Sequence, residues 1–202
     1  MTLTCPHSTG EAALRGLLHR TRVLPLLLAS AAALAGCGQQ GKMPPPVLSE
    51  GRAFPEIALN FSGGNTVSTR SFRGKIVVLN FWATWCPPCR REMPGLERLS
   101  RSLDPERFVV IGVSADEDAF LAEEFLRQNQ ITFANFFDRG GKIARQLGMQ
   151  VYPETFLIGA DGILLQRVPG LQDWSSPAMV TQLEDISQNR GAAGRLSGVL
   201  QQ

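Results

Sequence analysis

The sequence predicts an α/β domain in which a central mixed β-sheet is flanked by helices and preceded by an N-terminal β-hairpin. Three observations point there. Ile76–Trp82 and Phe108–Val113 are continuous apolar runs, not alternating ones, as expected of strands buried on both faces. Segments with helical spacing follow each of them. Asp161-Gly162 then separates two apolar runs near the end, a signal for a tight hairpin. The order strand–helix–strand–helix, then hairpin, then helix, implies a mixed sheet covered by helices. The chain has 202 residues, and positions 48–188 are the right size for one domain. No internal repeat is visible.

Element by element, Ala53–Leu59 and Thr66–Ser68 flank Gly63-Gly64-Asn65 and read as the first hairpin. Ile76–Trp82 is the first buried strand. Pro88–Leu103 is helical, with Met93, Leu96, Leu99 and Leu103 at core spacing. Phe108–Val113 is the second buried strand. Asp116–Gln128 is an amphipathic helix with acids in its first turn, where the helix dipole favours them. Asp116-Glu117-Asp118, with Glu123 and Glu124, reads as its solvated face and not as a metal site. Thr132–Phe137 is a short strand, and Lys142–Leu147 a helix stopped by Gly148. Thr155–Ile158 and Ile163–Val168 pair across Asp161-Gly162 in a type I′ turn. Pro177–Ser187 is the last helix, and the tail 189–202 lacks periodicity.

The N-terminus carries a different message. Residues 1–22 contain Arg15, Arg20 and Arg22 against the single acid Glu11. The apolar stretch Val23–Leu34 suits a signal-peptide core and is too short to span a membrane, which takes about 20 residues. It ends Leu34-Ala35-Gly36-Cys37, which resembles the lipobox of bacterial lipoproteins. That resemblance implies a signal peptide over 1–36 and lipidation of Cys37. The alternative is a plain secretory signal with an incidental cysteine. Positions 37–47, with Gly38-Gln39-Gln40-Gly41 and Pro44-Pro45-Pro46, read as a tether. Cleavage before Cys37 removes Cys5, His7 and His19, so the mature chain has no histidine and only Cys86 and Cys89 as free thiols. It also removes three Arg and one Glu, taking the formal net charge from +2 to 0. Nothing in that balance suggests a nucleic-acid partner, which calls for a basic patch.

The chemistry concentrates in Trp85-Cys86-Pro87-Pro88-Cys89, directly after the first buried strand. A helix starts on this dithiol, and a helix N-terminus carries unpaired N–H groups and about half a positive charge. A cysteine there is stabilised as thiolate, the form that attacks disulfides. Two cysteines at this spacing can close into a small disulfide ring and reopen. The residues alone therefore indicate thiol–disulfide exchange. Half of a structural zinc site is the competing reading, but zinc needs four ligands and the mature chain offers two thiols and no histidine.

Val77-Val78-Leu79-Asn80-Phe81-Trp82-Ala83-Thr84-Trp85-Cys86-Pro87-Pro88-Cys89, with Tyr152-Pro153-Glu154-Thr155-Phe156-Leu157-Ile158 downstream, resembles the thioredoxin superfamily. Within it the chain is most similar to the extracytoplasmic TlpA/ResA/CcmG-type branch, over positions 48–188. The helix and strand of Asp116–Phe137 match that branch's insertion into the thioredoxin-like fold. The resemblance implies Cys86 as attacking thiol and Cys89 as resolving thiol, alternately reduced and joined as a disulfide. Pro87 and Pro88 stiffen the turn and tune the potential in a direction the sequence does not give. Pro153 matches the family's cis-proline, although its local sequence favours trans. Tyr152 lines a client groove or simply packs, and Trp85 packs by the dithiol and contacts clients. Glu154 either sets partner preference or is a solvated rim charge. Pro94 matches the kink proline of the active-site helix.

Asn80 departs from cytoplasmic thioredoxins, which carry a buried aspartate there to manage protons. In the ResA-type branch that duty resembles one given to a glutamate after the dithiol, and Glu92 matches it. Cys89 and Glu92 are three apart and lie on neighbouring helix faces. A partly buried carboxylate there would have a raised pKa and could shuttle a proton. The bland alternative is an exposed acid near the helix start.

The resemblance implies a membrane-tethered, extracytoplasmic thiol–disulfide oxidoreductase acting as a protein disulfide reductase, without cofactor or metal. Its partners would be oxidised client proteins, such as apocytochrome c or copper-site assembly proteins, and a membrane thiol transporter of the CcdA/DsbD type as electron donor. The lipid on Cys37 would hold it to the inner or outer membrane. Two alternatives are weighed against it. A copper-site assembly factor of the same fold uses a longer cysteine spacing and a distant histidine. A peroxiredoxin needs Thr and Pro where Ala83 and Leu79 stand.

Overall fold

The computed structural model describes residues 48–188. The signal segment 1–36, Cys37 with its tether 37–47, and the tail 189–202 lie outside the described residues. In chain order the elements are β1 (Ala58–Asn60), β2 (Thr66–Ser68), β3 (Ile76–Trp82), α1 (Pro87–Ser102), β4 (Phe108–Ser114) and α2 (Ala119–Gln128). They continue with β5 (Ala134–Phe137), α3 (Lys142–Gln146), β6 (Glu154–Ile158), β7 (Leu164–Pro169) and α4 (Pro177–Gln188).

The strands form one mixed sheet in the order β2-β1-β5-β4-β3-β6-β7. β3, β4 and β5 are parallel, while β6 runs antiparallel to β3 and β7 antiparallel to β6. β3 lies inside the sheet between β4 and β6 and is buried along its whole length. Its side chains alternate between two cores. Ile76, Val78 and Trp82 meet Met93, Leu96 and Leu99 of α1 and Met179 and Leu183 of α4. Val77, Leu79 and Phe81 meet Phe54, Phe156, Ile143 and Leu147 on the opposite face. Each of these large side chains contributes on the order of 1.5–3 kcal/mol by burial. This alternation places Asn80, in register with Gly112 of β4 and Thr155 of β6, on the α1 side of the sheet.

Three local expectations are corrected. The first strand is Ala58–Asn60 only, and Ala53 instead forms an isolated bridge to Ile163. α2 begins at Ala119, with the Asp118 carboxylate accepting from the Phe120 N–H at 2.9 Å as its N-cap. Asp116 and Glu117 precede the helix. The β6–β7 turn is not type I′, which requires two residues of positive φ. Gly162 N–H donates to Gly159 O at 2.7 Å, Gly159 N–H donates to Ile163 O at 2.8 Å, and of Ala160-Asp161-Gly162 only Gly162 has positive φ, at 76°. That is a three-residue loop, a type I turn closed by a bulged glycine.

Candidate active site

β3 delivers the chain to the site and α1 begins on it. Cys86 is the N-cap of α1, with Pro87 and Pro88 in the first two helical positions. The free N–H groups of a helix start are few here because both prolines lack one. Cys86 N–H donates to Ala83 O at 3.2 Å, and Arg90 N–H to Cys86 O at 3.2 Å. The remaining donor, Cys89 N–H, points at Cys86 Sγ at 3.2 Å. The sulfur nearer the helix start thus receives the one uncommitted backbone donor of that turn, together with the dipole. Cys86 and Cys89 form a disulfide with Cα atoms 5.3 Å apart. Cys86 is 4% exposed and Cys89 is fully buried. Pro94 lies inside α1, whose buried residues run on both sides of it.

The segment before the cysteines is clamped by a buried acid. Asp116 accepts from Thr84 N–H at 3.0 and 3.2 Å, from the Thr84 hydroxyl at 2.6 Å and from the Ser114 hydroxyl at 2.7 Å. Sequence reasoning had placed Asp116 on a solvated helix face. The structure buries it at the end of β4, where it holds the loop leading to Cys86. Trp82, fully buried, donates its indole N–H to Asn135 Oδ1 at 2.9 Å. Gly112 makes room for this bond, since a Cβ there would come within 1.9 Å of Asn135 Oδ1.

A second buried acid, Glu92, stands on α1 three residues after Cys89 and is only 2% exposed. Its Oε1 accepts from Asn80 Nδ2 at 2.7 Å, and Asn80 Nδ2 also donates to the Thr155 hydroxyl at 2.9 Å. Its Oε2 accepts from Gln172 N–H and from the Trp174 indole, each at 3.2 Å. Burial pushes the Glu92 carboxyl up from its ordinary 4.5 to about 7, against the lowering effect of hydrogen bonds from Asn80, Gln172 and Trp174. It is not the exposed helix-start acid of the bland reading. Asn80 Oδ1, also buried, has no partner among the described residues.

Trp85 is 60% exposed, and its ring meets Tyr152 edge-on at 5.5 Å. Val151 is exposed beside Tyr152 in sequence, and Leu171 is exposed on the loop that reaches Glu92. The Tyr152–Pro153 bond is cis, and Gly170 N–H donates to Pro153 O at 2.8 Å. Glu154 is neither a client-facing charge nor a solvated one. It is buried and ion-paired with Arg167, whose guanidinium also donates to Gly148 O at 2.8 Å. β6 pairs Glu154 with Phe81 of β3, which carries the side chain inward. The best-formed clefts among the described residues, lined for example by Phe54, Arg70 and Gly162 or by Phe61, Asp138 and Lys142, include neither cysteine.

Cys86, Cys89, Pro87, Pro88, Trp85, Tyr152, Pro153, Asn80 and Glu92 thus gather at one end of the sheet. Asp116, Thr84, Gln172, Trp174 and Arg167 belong there too, and sequence reasoning missed them. The one available signal was Trp174 itself, a large ring with an N–H donor in an otherwise polar loop, which needs a buried partner.

Comparison with known proteins agrees with this geometry. The AhpC/TSA family matches residues 51–167. The chain is 34% identical over 122 residues to the thiol-disulfide oxidoreductase ResA of Bacillus thuringiensis subsp. konkukian, covering 60% of this chain and 70% of that one. It is 32% identical over 120 residues to the thioredoxin-like protein YneN of Bacillus subtilis, covering 58% and 69%. A Chlorobium tepidum crystal structure, described as that of a thiol:disulfide interchange protein DsbE, superposes with a TM-score of 0.60 at 32% identity, covering 73% of this chain and 99% of that one.

Proposed function

This chain belongs to the AhpC/TSA family and is a thiol–disulfide oxidoreductase of the ResA/DsbE type, and we propose that it is a lipid-tethered, extracytoplasmic reductant of disulfides in client proteins. One observation carries the chemistry: the Cys86–Cys89 disulfide stands at the start of a helix whose next turn carries a buried carboxyl, Glu92, pushed up to about 7. In the reduced protein the Cys86 thiolate attacks one sulfur of a client disulfide. The Cys86–client bond forms, and the client's other sulfur leaves with the electron pair. Cys89 then loses its proton to Glu92 and attacks Cys86 Sγ. This closes the intramolecular disulfide and releases the client with both cysteines reduced. The client has gained two electrons and this protein has lost them, so a dithiol donor must reduce it again. A membrane thiol transporter of the CcdA/DsbD type would supply that dithiol.

The surface favours a protein client. Trp85, exposed beside Cys86 in sequence and in edge-on contact with Tyr152, offers apolar area, and the best-formed clefts among the described residues include neither cysteine. Cysteine pairs of apocytochrome c or of a copper-site assembly protein fit such a surface. The tether rests on Leu34-Ala35-Gly36-Cys37 and the apolar stretch before it.

The test is the reduction potential of the Cys86–Cys89 pair in glutathione buffers. A value near or below about −220 mV supports a reductant, and one near about −120 mV makes the protein an oxidant. Cys86→Ser should abolish disulfide reduction, while Cys89→Ser should accumulate mixed disulfides with clients. Membrane release of a Cys37→Ser chain in its own cell would support the tether, and unchanged membrane association would refute it.

A further inference from the structure

The two oxygens of the Glu92 carboxyl are not equivalent. Oε2 faces two N–H donors, the Gln172 backbone and the Trp174 indole, each at 3.2 Å. Neither group can accept a proton. A proton placed on Oε2 would set an O–H against two N–H groups in a fully buried spot, at the cost of leaving them unpaired. Oε1 faces the Asn80 amide at 2.7 Å. An amide can turn end for end, exchanging a donor for an acceptor. Asn80 Oδ1 is the acceptor there without a partner, in a side chain with no exposure to solvent.

We propose that Trp174, with the Gln172 amide, is the positioning residue that restricts the exchangeable proton of Glu92 to Oε1, and that the Asn80 amide turns to accept it. In the ionised state Asn80 Nδ2 donates to Oε1, as observed. In the protonated state Oε1–H donates to Asn80 Oδ1, and Oε2 continues to accept from Gln172 and Trp174. During resolution the Cys89 S–H bond breaks and the Oε1–H bond forms, on the sheet side of the carboxyl. This deepens the reading of Glu92 as the proton acceptor for Cys89 and rests on it. Among the described residues, no charged side chain faces the carboxyl from the elements packed on it. β3 brings Asn80, β6 brings Thr155 through Asn80, and the loop before α4 brings Gln172 and Trp174. On its own helix the other titratable neighbours are Cys86 and Cys89, which do not titrate as a disulfide. Arg90 and Arg91 of that helix are exposed.

The oxidised protein therefore isolates this titration, and NMR of the intact chain reads it. Across the pH range in which the Glu92 carboxyl titrates, the Trp174 indole N–H should stay protected from hydrogen exchange at both ends, while the Asn80 side-chain amide resonances shift with the Glu92 midpoint. Loss of indole protection at the acid end puts the proton on Oε2 and overturns the proposal. So does an Asn80 amide that ignores the Glu92 transition. In kinetics, Trp174→Phe keeps a buried ring but removes one donor to the carboxylate. The midpoint of the exchange rate against pH should rise by about one pH unit, a tenfold change in the equilibrium. An unmoved midpoint in a folded variant also overturns the proposal. Glu92→Gln separates the two layers: it should remove the inflection that Trp174→Phe moves and leave only the one set by formation of the attacking thiolate. A pH profile unchanged by Glu92→Gln refutes the proton role of Glu92 itself, and the assignment to Trp174 falls with it.

Discussion

Replacing Glu92 by glutamine should make the oxidised protein more stable at alkaline pH and leave it nearly unchanged in acid. The carboxyl titrates near 4.5 when free and near 7 in the fold, because burial disfavours its charge. The folded chain thus binds an extra proton between those values, so stability falls as pH rises through that window. The contribution is fully present below about 4.5 and lost above about 7. At about 1.36 kcal/mol per pH unit, the interval corresponds to about 3 kcal/mol. Glutamine carries no charge at any pH and removes this dependence. Its carbonyl can face Gln172 and Trp174 while its amide faces Asn80, which turns to present Oδ1, now unpartnered. Urea unfolding of both oxidised proteins from pH 4.5 to 8.5 measures the difference directly, and contributions from other acids cancel. The two stability curves should converge at the acid end and separate by about 3 kcal/mol at the alkaline end. Parallel curves would refute the buried, neutrally poised carboxyl and with it the chemical argument for Glu92.

Asp116→Ala should destabilise the protein by about 2–4 kcal/mol in urea unfolding, since the half-buried donors of Thr84 and the buried hydroxyl of Ser114 lose their acceptor. It should also slow exchange by loosening the loop before Cys86, and a cost below about 1 kcal/mol would contradict the clamp. Gly112→Ala should cost about 2–3 kcal/mol, because the new Cβ displaces Asn135 and strips the Trp82 indole of its partner. A thermal midpoint equal to that of the parent would show that Asn135 has another place to go. Trp85→Ala should change stability by no more than about 1 kcal/mol, the worth of its edge-on contact with Tyr152. KM for a protein disulfide should rise while the rate with a small disulfide holds; equal effects on both would remove Trp85 from the client surface.

The parts of this molecule that local sequence dictates were readable. β3, the dithiol and α1 follow one another without interruption, and each is announced by its own composition: a continuous apolar run, two cysteines, two prolines and a helical stripe. The cis bond at Pro153 ran against local preference and was legible only through resemblance. What could not be read was where the acids go. Asp116, Glu92 and Glu154 all lie buried at the dithiol end of the sheet, against the general tendency of charged residues to face water. Their burial is decided by partners far along the chain: Asp116 by Thr84, 32 positions away, Glu154 by Arg167 on the next strand, and Glu92 by Trp174, 82 positions away. Hydrophobic periodicity reports which side of an element faces the core. It does not report which polar group waits there. The Asp116-Glu117-Asp118 run therefore read as one solvated face when its first member is structural.

These three acids also show why one of them suits proton transfer and the others suit support. Glu154 faces a guanidinium, and that pairing ties the start of β6, just after Pro153, to the carbonyl of Gly148. Asp116 is saturated by donors from a single loop and a neighbouring hydroxyl, so its hydrogen bonds fix Thr84 and the approach to Cys86. Glu92 receives only neutral donors, from an amide side chain, a backbone N–H and an indole, and no cation. Neutral donors partly offset burial without cancelling it, and a carboxyl held in that balance can exist in either protonation state near neutral pH. It lies one helical turn beyond Cys89, the thiol that must lose a proton while shielded from solvent. A protein in which Glu92 had a lysine or arginine partner would keep the same fold and the same dithiol. Its carboxylate would stay charged throughout the cycle, and the proton of Cys89 would have to leave by another route.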